Sequence, residues 1–256
     1  MNTSAVRAII TGGARGLGFA AASRLVGAGA KVAIADVSAE VGGAAREKLG
    51  SNCIFQPTDV TSEEQVLSLL EAAKKEFGAP VNAVINCAGV APAIKTWHPK
   101  KGPHPLEAFE KTLRINTIGT FNVNRLAIAQ MMENEVHEPD ATRGVVINTA
   151  SIAAYEGQVG QVAYAASKGA IVGMTLPMAR DLARSQIRVV TVAPGLFKTE
   201  LLAGLGEKVC NELGSQVPFP QRLGSPPEYA MLVEHIINNP LINGETIRID
   251  GALRMP

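Results

Sequence analysis

Seven short runs rich in Val and Ile recur along the chain, each separated from the next by a longer stretch, most of them with helical periodicity. They fall near 5–11, 31–36, 52–56, 81–86, 144–149, 187–193 and 245–249. Strands that alternate with helices are joined by crossovers, and crossovers build parallel sheets. The central runs are apolar on both faces, as strands covered by helices on either side must be. The pattern predicts an α/β fold, a single domain over residues 1–256 built as a doubly wound, seven-stranded parallel sheet with helices on both faces. Thr61-Ser-Glu-Glu64 reads as a capping box opening a helix over 62–77. Two segments break the alternation: the Pro- and Lys-rich stretch 91–106 and the stretch 196–223. Long irregular segments beside a rigid sheet are where substrate pockets are usually built, so both are expected to be substrate loops.

Charge and cysteine usage exclude several functions. Lys and Arg number 24 against 23 Asp and Glu, so no large positive field is offered to nucleic acid or anionic lipid. No apolar run approaches the roughly 18 residues that a membrane span needs. The run Ala5–Thr11 lies so close to Met1 that no cleaved leader is expected, and a cytoplasmic address follows, with a mitochondrial one open if the source is eukaryotic. Cys53, Cys87 and Cys210 are odd in number and far apart, and His98, His104, His137 and His235 follow no ligand spacing. Neither a disulfide framework nor a metal site is expected.

The first strand runs directly into Thr11-Gly-Gly-Ala-Arg-Gly-Leu-Gly18, and the glycines at Gly12, Gly16 and Gly18 open into a helix. The spacing is not the strict GxGxxG. The physics is shared: glycines let the backbone approach a pyrophosphate, while the free amides of the helix start face its charge. A plain tight turn is the alternative. Asp36 closes the second strand about 20 residues further on, where a carboxylate can accept bonds from both hydroxyls of an adenosine ribose. It would also repel the 2′-phosphate of NADP, so this Rossmann-type fold is expected to take NAD as cofactor. Arg15 pulls the other way, since a guanidinium there can pair with that phosphate. Asp59-Val60 after strand three and Asn86-Cys-Ala-Gly89 after strand four stand where ligands of open sheets bind. Asp59 is a candidate for the adenine amino group. Cys87 reads as a small residue lining the site, with no base paired to it.

Strand five delivers Ser151, and Tyr164-Ala-Ala-Ser-Lys168 follows on a helical stretch. Residues i and i+4 share a helix face, so an ammonium can sit beside a phenol and favour its ionised form, and Lys168 with a positively charged nicotinamide is expected to bring Tyr164 into use near neutral pH. Tyr164 would then exchange a proton with an alcohol or ketone oxygen while a hydride moves between carbon and the nicotinamide, and Ser151 would donate a hydrogen bond to the same oxygen. YxxxK alone is weak. The ordered set is not: a glycine turn after strand one, Asp after strand two, Ser after strand five, then Tyr and Lys.

Through TGGARGLG, NCAG, Asn116, Ser151, YAASK and Pro194-Gly195, the chain resembles the short-chain dehydrogenase/reductase family over essentially its whole length. The resemblance implies that Asn116 holds a water in a proton relay through Lys168 and the ribose hydroxyl. It places Lys168 on the nicotinamide ribose, and Phe197 and Thr199 along the nicotinamide. It implies a homotetramer assembled through the helices near 107–133 and 162–184. Stretches such as NTASIAAYEGQVGQVAYAASKG and SQVPFPQRLG are most similar to members that act on 3-hydroxyacyl thioesters of coenzyme A, in fatty acid metabolism, and on hydroxysteroids. Arg15 departs from the small residue of those members.

An acyl chain or steroid would lie in an apolar trough walled by the two loops, with Gln158 and Gln161 bordering the carbonyl and Trp97 covering it. Lys95, Lys100 and Lys101 could meet the phosphates of coenzyme A or simply be solvated. Two other readings stay open. One is an NADPH-dependent reductase of 3-oxoacyl groups on a carrier protein; the other is a scaffold that keeps the fold and binds a partner protein or RNA.

Overall fold

The computed structural model describes residues 1–136, 142–203 and 206–255; His137 lies outside them. Its strands are β1 (Arg7–Thr11), β2 (Lys31–Asp36), β3 (Cys53–Pro57), β4 (Ala83–Asn86), β5 (Trp97–His98), β6 (Gly102–Pro103), β7 (Gly144–Thr149), β8 (Ile187–Pro194) and β9 (Thr246–Ile249). Seven of them form one parallel sheet in the order β3-β2-β1-β4-β7-β8-β9. All seven expected strands are present. The first starts two residues late because Thr3–Ala5 coil into a 3₁₀ turn. Every residue of β4 and β8 is buried, whereas the edge strand β3 is only half-covered, as position in the sheet requires.

Alternation along the strands sends side chains to two separate cores. Ile9, Val84, Val146 and Val189 pack into one layer, and their neighbours Ile10, Ile85, Ile147 and Val190 into the other. The first layer is completed by α3 (Glu63–Phe77), α5 (Thr120–Met131) and α7 (Val162–Asp181). The second is completed by α1 (Gly16–Gly27), α2 (Ala39–Leu49) and α10 (Pro226–Asn238). A fully buried branched side chain contributes about 2 kcal/mol, so a one-residue slip of any central strand would be costly. Strand order reverses on either side of β1, and the crevice beyond the carboxyl ends of β1 and β4 is where such sheets bind ligands.

Several boundaries differ from expectation. Ser62, not Thr61, caps α3 by accepting from the Gln65 amide, because Thr61 is turned back to Asp59 Oδ1 through both its amide and its hydroxyl. The expected helix over 107–133 runs unbroken from Leu106 to Met131, as α4 (Leu106–Leu113), a π turn at Arg114–Gly119, and α5. The helix over 162–184 ends at Asp181 and tightens into a 3₁₀ turn. The irregular segments carry structure of their own: the β5–β6 hairpin in 91–106, and α8 (Glu200–Ala203) and α9 (Glu207–Ser215) in 196–223. A short α6 (Ala153–Glu156) follows Ser151. Among the described residues no helix is long and apolar enough to cross a membrane, and no cluster of His, Cys, Asp or Glu is arranged to hold a metal.

Candidate active site

The glycine turn is shaped by what crowds it. Gly12 is left-handed at φ +61°, and a Cβ there would stand 2.8 Å from the Ala88 amide nitrogen. Gly16 is left-handed too, while a Cβ on Gly18 would collide with Gly12 O and push α1 off the turn. The turn is tied to both neighbouring strands: Gly13 N donates to Ala35 O, and Cys87 N donates to Thr11 O. Arg15 precedes α1 without a side-chain cap, and Phe19 is the first residue whose amide finds a helical partner, at Arg15 O. The earlier amides of Gly16, Leu17 and Gly18 open an uncapped helix start, a cradle that fits an anionic group such as a pyrophosphate. Leu17 packs against the core below, while Arg15 is exposed. Asp36 ends β2 beside the turn, accepts from Ser38 N, and has no ion-pair partner among the described residues.

The side chains of two expected cofactor residues, Asn86 and Val60, point away from the crevice. The Asn86 side chain is buried: Nδ2 donates to Asn124 Oδ1 and Asn148 Oδ1, and Oδ1 accepts from Thr11. Only its main chain is left for a ligand, because its amide ties β4 to β1, β7 and α5. Val60 is buried against Gly119, and its carbonyl is held by Asn122. Asp59 stays exposed at the mouth with one oxygen engaged by Thr61. Ala88 N donates to Thr11 Oγ1, and Gly89 leads the chain past α7. A Cβ on Gly89 would lie 3.1 Å from Asn116 Oδ1 and 3.7 Å from Lys168 Nζ.

Ser151, Tyr164 and Lys168 do converge. Tyr164 and Lys168 lie one turn apart on α7, with Nζ 5.7 Å from the centre of the phenol ring, and Ser151 is within hydrogen-bonding reach of the phenol hydroxyl. Lys168 is 6% exposed and donates to Thr149 O at 2.8 Å. The electrostatics of the chain by itself show how much the ammonium and a charged nicotinamide would have to offset. Burial raises the Tyr164 pKa above its ordinary value, and the Ser151 hydrogen bond pulls it back only in part. Burial also pushes Lys168 down to about 8. Both groups sit in a site that resists charge.

Asn116, at the π turn, is fully buried, and its amide is already spent. Nδ2 donates to Val90 O and Ser167 Oγ, and Oδ1 accepts from Val90 N. The side chain clamps the segment after Gly89 onto α7. Ser167, which in turn donates to Tyr164 O, was not legible in the sequence, since nothing distinguishes it inside YAASK.

Beyond β8, Pro194 O accepts from Ile152 N and Gly195 passes so close to Asp250 that a Cβ would sit 2.8 Å from its side chain. Phe197 was expected along a nicotinamide; its ring is 7% exposed and packs on Gly224 within the core. Thr199 reaches Gly16, its methyl 3.5 Å from where a Cβ would be. Beside the start of α7, a cavity of about 570 Å³ is lined by Lys95, Trp97, Gln158, Val159, Gln161 and Val162 among others, but not by Ser151, Tyr164 or the 196–223 segment. Gln161 Oε1 accepts from Gln158 N, and Ile94 N donates to Gly160 O, which stitches the 91–106 loop to the start of α7. Lys100 and Lys101 are exposed at the hairpin and do not line that cavity.

With this geometry in place, comparison with known proteins is specific. A family model described as short chain dehydrogenase matches residues 6–209. Human 3-hydroxyacyl-CoA dehydrogenase type-2 is 60% identical, over 97% of this chain and 95% of its own. Mouse 3-oxoacyl-[acyl-carrier-protein] reductase is 30% identical over 96% of this chain and 97% of its own. The crystal structure of 3-hydroxyacyl-CoA dehydrogenase type-2 from Mycobacterium avium superposes with a TM-score of 0.92 at 41% identity, covering 97% of this chain and 96% of that one.

Proposed function

The chain belongs to the short-chain dehydrogenase family, an oxidoreductase that uses a nicotinamide cofactor, and from that premise we propose that it interconverts (S)-3-hydroxyacyl-CoA and 3-oxoacyl-CoA with NAD, and accepts hydroxysteroids in the same trough. The observation that carries the chemistry is the meeting of the Tyr164 hydroxyl, Ser151 and Lys168 at the carboxyl edge of the sheet, one crevice from the glycine turn. The far higher identity to the CoA-thioester enzyme than to the carrier-protein reductase supports the thioester substrate. A panel of 3-hydroxyacyl-CoA, carrier-protein thioester and hydroxysteroid oxidations, run with both cofactors, tests it. The highest kcat/KM on a carrier-protein thioester would overturn it.

A bound nicotinamide would supply the hydride acceptor for oxidation and the hydride donor for reduction. The chain's own residues do the rest. The amides of Gly16, Leu17 and Gly18 would face the pyrophosphate, with Gly12, Ala88, Gly89 and Gly195 keeping the crevice clear and the main chain of Asn86 and Cys87 forming its wall. Asp36 would take the adenosine ribose and Asp59 the adenine. Tyr164 removes the hydroxyl proton in oxidation and restores it in reduction. Ser151 donates to the same oxygen as charge develops there. Lys168 holds positive charge beside the phenol ring and would bond the nicotinamide ribose. Asn116 keeps the Val90 segment on α7, and any water of a proton relay would depend on that clamp. Gln158 and Gln161 border the substrate carbonyl.

Asp36 and Arg15 oppose each other in cofactor choice, and we expect Asp36 to win because a carboxylate next to a 2′-phosphate is repulsive whatever Arg15 does in solvent. Wild-type kcat/KM is expected to favour NAD over NADP by about tenfold or more, the size of one unfavourable charge contact. Asp36→Ala should erase that preference. A wild-type preference for NADP would remove the role given to Asp36.

Lys95 borders the cavity beside the start of α7, so it is the lysine best placed for the phosphates of coenzyme A, with Lys100 and Lys101 adding long-range attraction. Replacing all three by Gln is expected to raise the KM for acetoacetyl-CoA by about three- to tenfold without changing kcat. An unchanged KM would leave these lysines as solvated loop residues.

Exposed apolar side chains remain on the helices expected to pair subunits: Ile118 in the π turn, Phe121 on α5 and Leu176 on α7. They support a homotetramer. Light scattering at micromolar concentration should return four times the 26.8 kDa chain mass; a monomer would refute it.

A further inference from the structure

The ladder between β4 and β7 ends at the pair Asn86↔Asn148. One residue later the two strands part: β7 continues to Thr149 while the chain after β4 turns away through Cys87. The Thr149 carbonyl, which no longer has a β4 partner, is taken by Lys168 Nζ. The amide on the other side of the same peptide plane, Ala150 N, is fixed to Val192 O on β8.

The cleft between the parting strand ends is closed from below by one side chain. Tyr229, on α10, is fully buried. Its hydroxyl shares a 2.8 Å hydrogen bond with Thr149 Oγ1 and lies 3.4 Å from Cys87 Sγ, which is itself 3.5 Å from Thr149 Oγ1. A single phenol oxygen thus bridges the end of β7 and the exit of β4.

We propose that Tyr229 is a positioning residue for the reaction: by stapling Thr149 to Cys87 it fixes the carbonyl against which the Lys168 ammonium is held, and so the distance between Lys168 and Tyr164. This rests on the roles proposed above for Tyr164 and Lys168. Lys168 has no carboxylate partner among the described residues; the titratable groups around it are Tyr164 on its own helix, Cys87 after β4, and Tyr229 behind Thr149. With no counter-ion to anchor it, its aim depends on neutral acceptors, and the Thr149 carbonyl is the acceptor in place. Burial raises the Cys87 and Tyr229 pKa values, so the staple stays uncharged while Lys168 titrates. Tyr229 touches neither substrate nor cofactor in this reading; it acts through Thr149.

The test uses the full-length protein oxidising 3-hydroxybutyryl-CoA with NAD. Tyr229→Phe keeps the ring and removes only the hydroxyl. Its kcat is expected to fall by about tenfold, the effect of one misplaced hydrogen bond, with KM for the thioester within about twofold. The alkaline-rising limb of its kcat profile should move up by about half a pH unit or more. Thr149→Val, on a different element, should reproduce both changes, Thr149→Ser should recover most of the turnover, and the Tyr229→Phe/Thr149→Val double variant should be no worse than the poorer single one. Wild-type turnover and pH profile in either hydroxyl-less variant would overturn the proposal, as would additive losses or a Thr149→Ser enzyme as slow as Thr149→Val. If Tyr229→Phe does not fold, the Thr149 pair and its pH profiles decide alone. Tyr164→Phe separates the two levels: if it is inactive while Tyr229→Phe is normal, only the role of Tyr229 falls; if it is fully active, the catalytic reading beneath it falls as well.

Discussion

Tyr164→Phe is expected to lower kcat for alcohol oxidation by about 10³-fold, within the range that a positioned acid/base contributes, while the affinity for NAD stays within about twofold. The substitution removes one oxygen and leaves the ring, so the packing of α7 and the Asn116–Ser167–Tyr164 carbonyl clamp survive. Ser151 loses its phenol partner but keeps its contact with Ala153 N. In the proposed reading the dinucleotide is held by the glycine turn and the end of the second strand, which the phenol oxygen does not touch. Steady-state kinetics paired with a fluorescence titration of the dinucleotide checks both halves. A retained rate would mean that the proton leaves by another route. A partner-binding role, if the chain has one, would be untouched, which separates that reading from the catalytic one in a single variant.

Contiguity decided what the sequence disclosed. The turn Gly12–Gly18 and the pair Tyr164–Lys168 each lie within one short segment, where local spacing already dictates who faces whom. The strands were legible because helices on both sides demand unbroken apolar runs. The parts that stayed hidden depend on long-range meeting. Thr149, Cys87 and Tyr229 come from positions 62 to 142 residues apart, and no local pattern marks a Tyr on α10 as a neighbour of a strand end. Asn86 was placed at the carboxyl end of the fourth strand, but strand position does not say whether an amide faces a ligand or the core; its hydrogen bonds to the buried Asn124 and Asn148 side chains made the choice. The burial that raises the Tyr164 phenol stayed hidden for a related reason. Proximity of Lys168 was readable from spacing, whereas the cost of charging a phenol in a buried site depends on everything packed around it.

That cost makes Lys168 the place where stability and turnover oppose each other, and Lys168→Met the second large effect. An ordinary lysine titrates at 10.5, and in the folded chain burial lowers Lys168 to about 8. A folded-state value below the unfolded one means that the fold disfavours the charged form: the penalty is fully present below pH 8 and fades as pH rises from about 8 to 10.5. A shift of that size corresponds to at most about 3 kcal/mol. Lys168→Met keeps most of the buried stem and removes the charge, so near pH 7 the variant is expected to be the more stable protein despite losing the bond to Thr149 O. Its advantage over the wild type should shrink as the pH approaches 10. Turnover moves the other way. Without the ammonium nothing on α7 offsets the burial that raises the phenol, so oxidation at neutral pH should fall by about 10²-fold or more and the limb that rises with pH should shift upward by at least about one unit. Chemical denaturation from pH 7 to 10, set beside the pH dependence of kcat, measures both. A variant that is less stable than the wild type at pH 7, or one whose kinetic profile does not move, would show that Lys168 is held neutral and acts only as a hydrogen-bond donor.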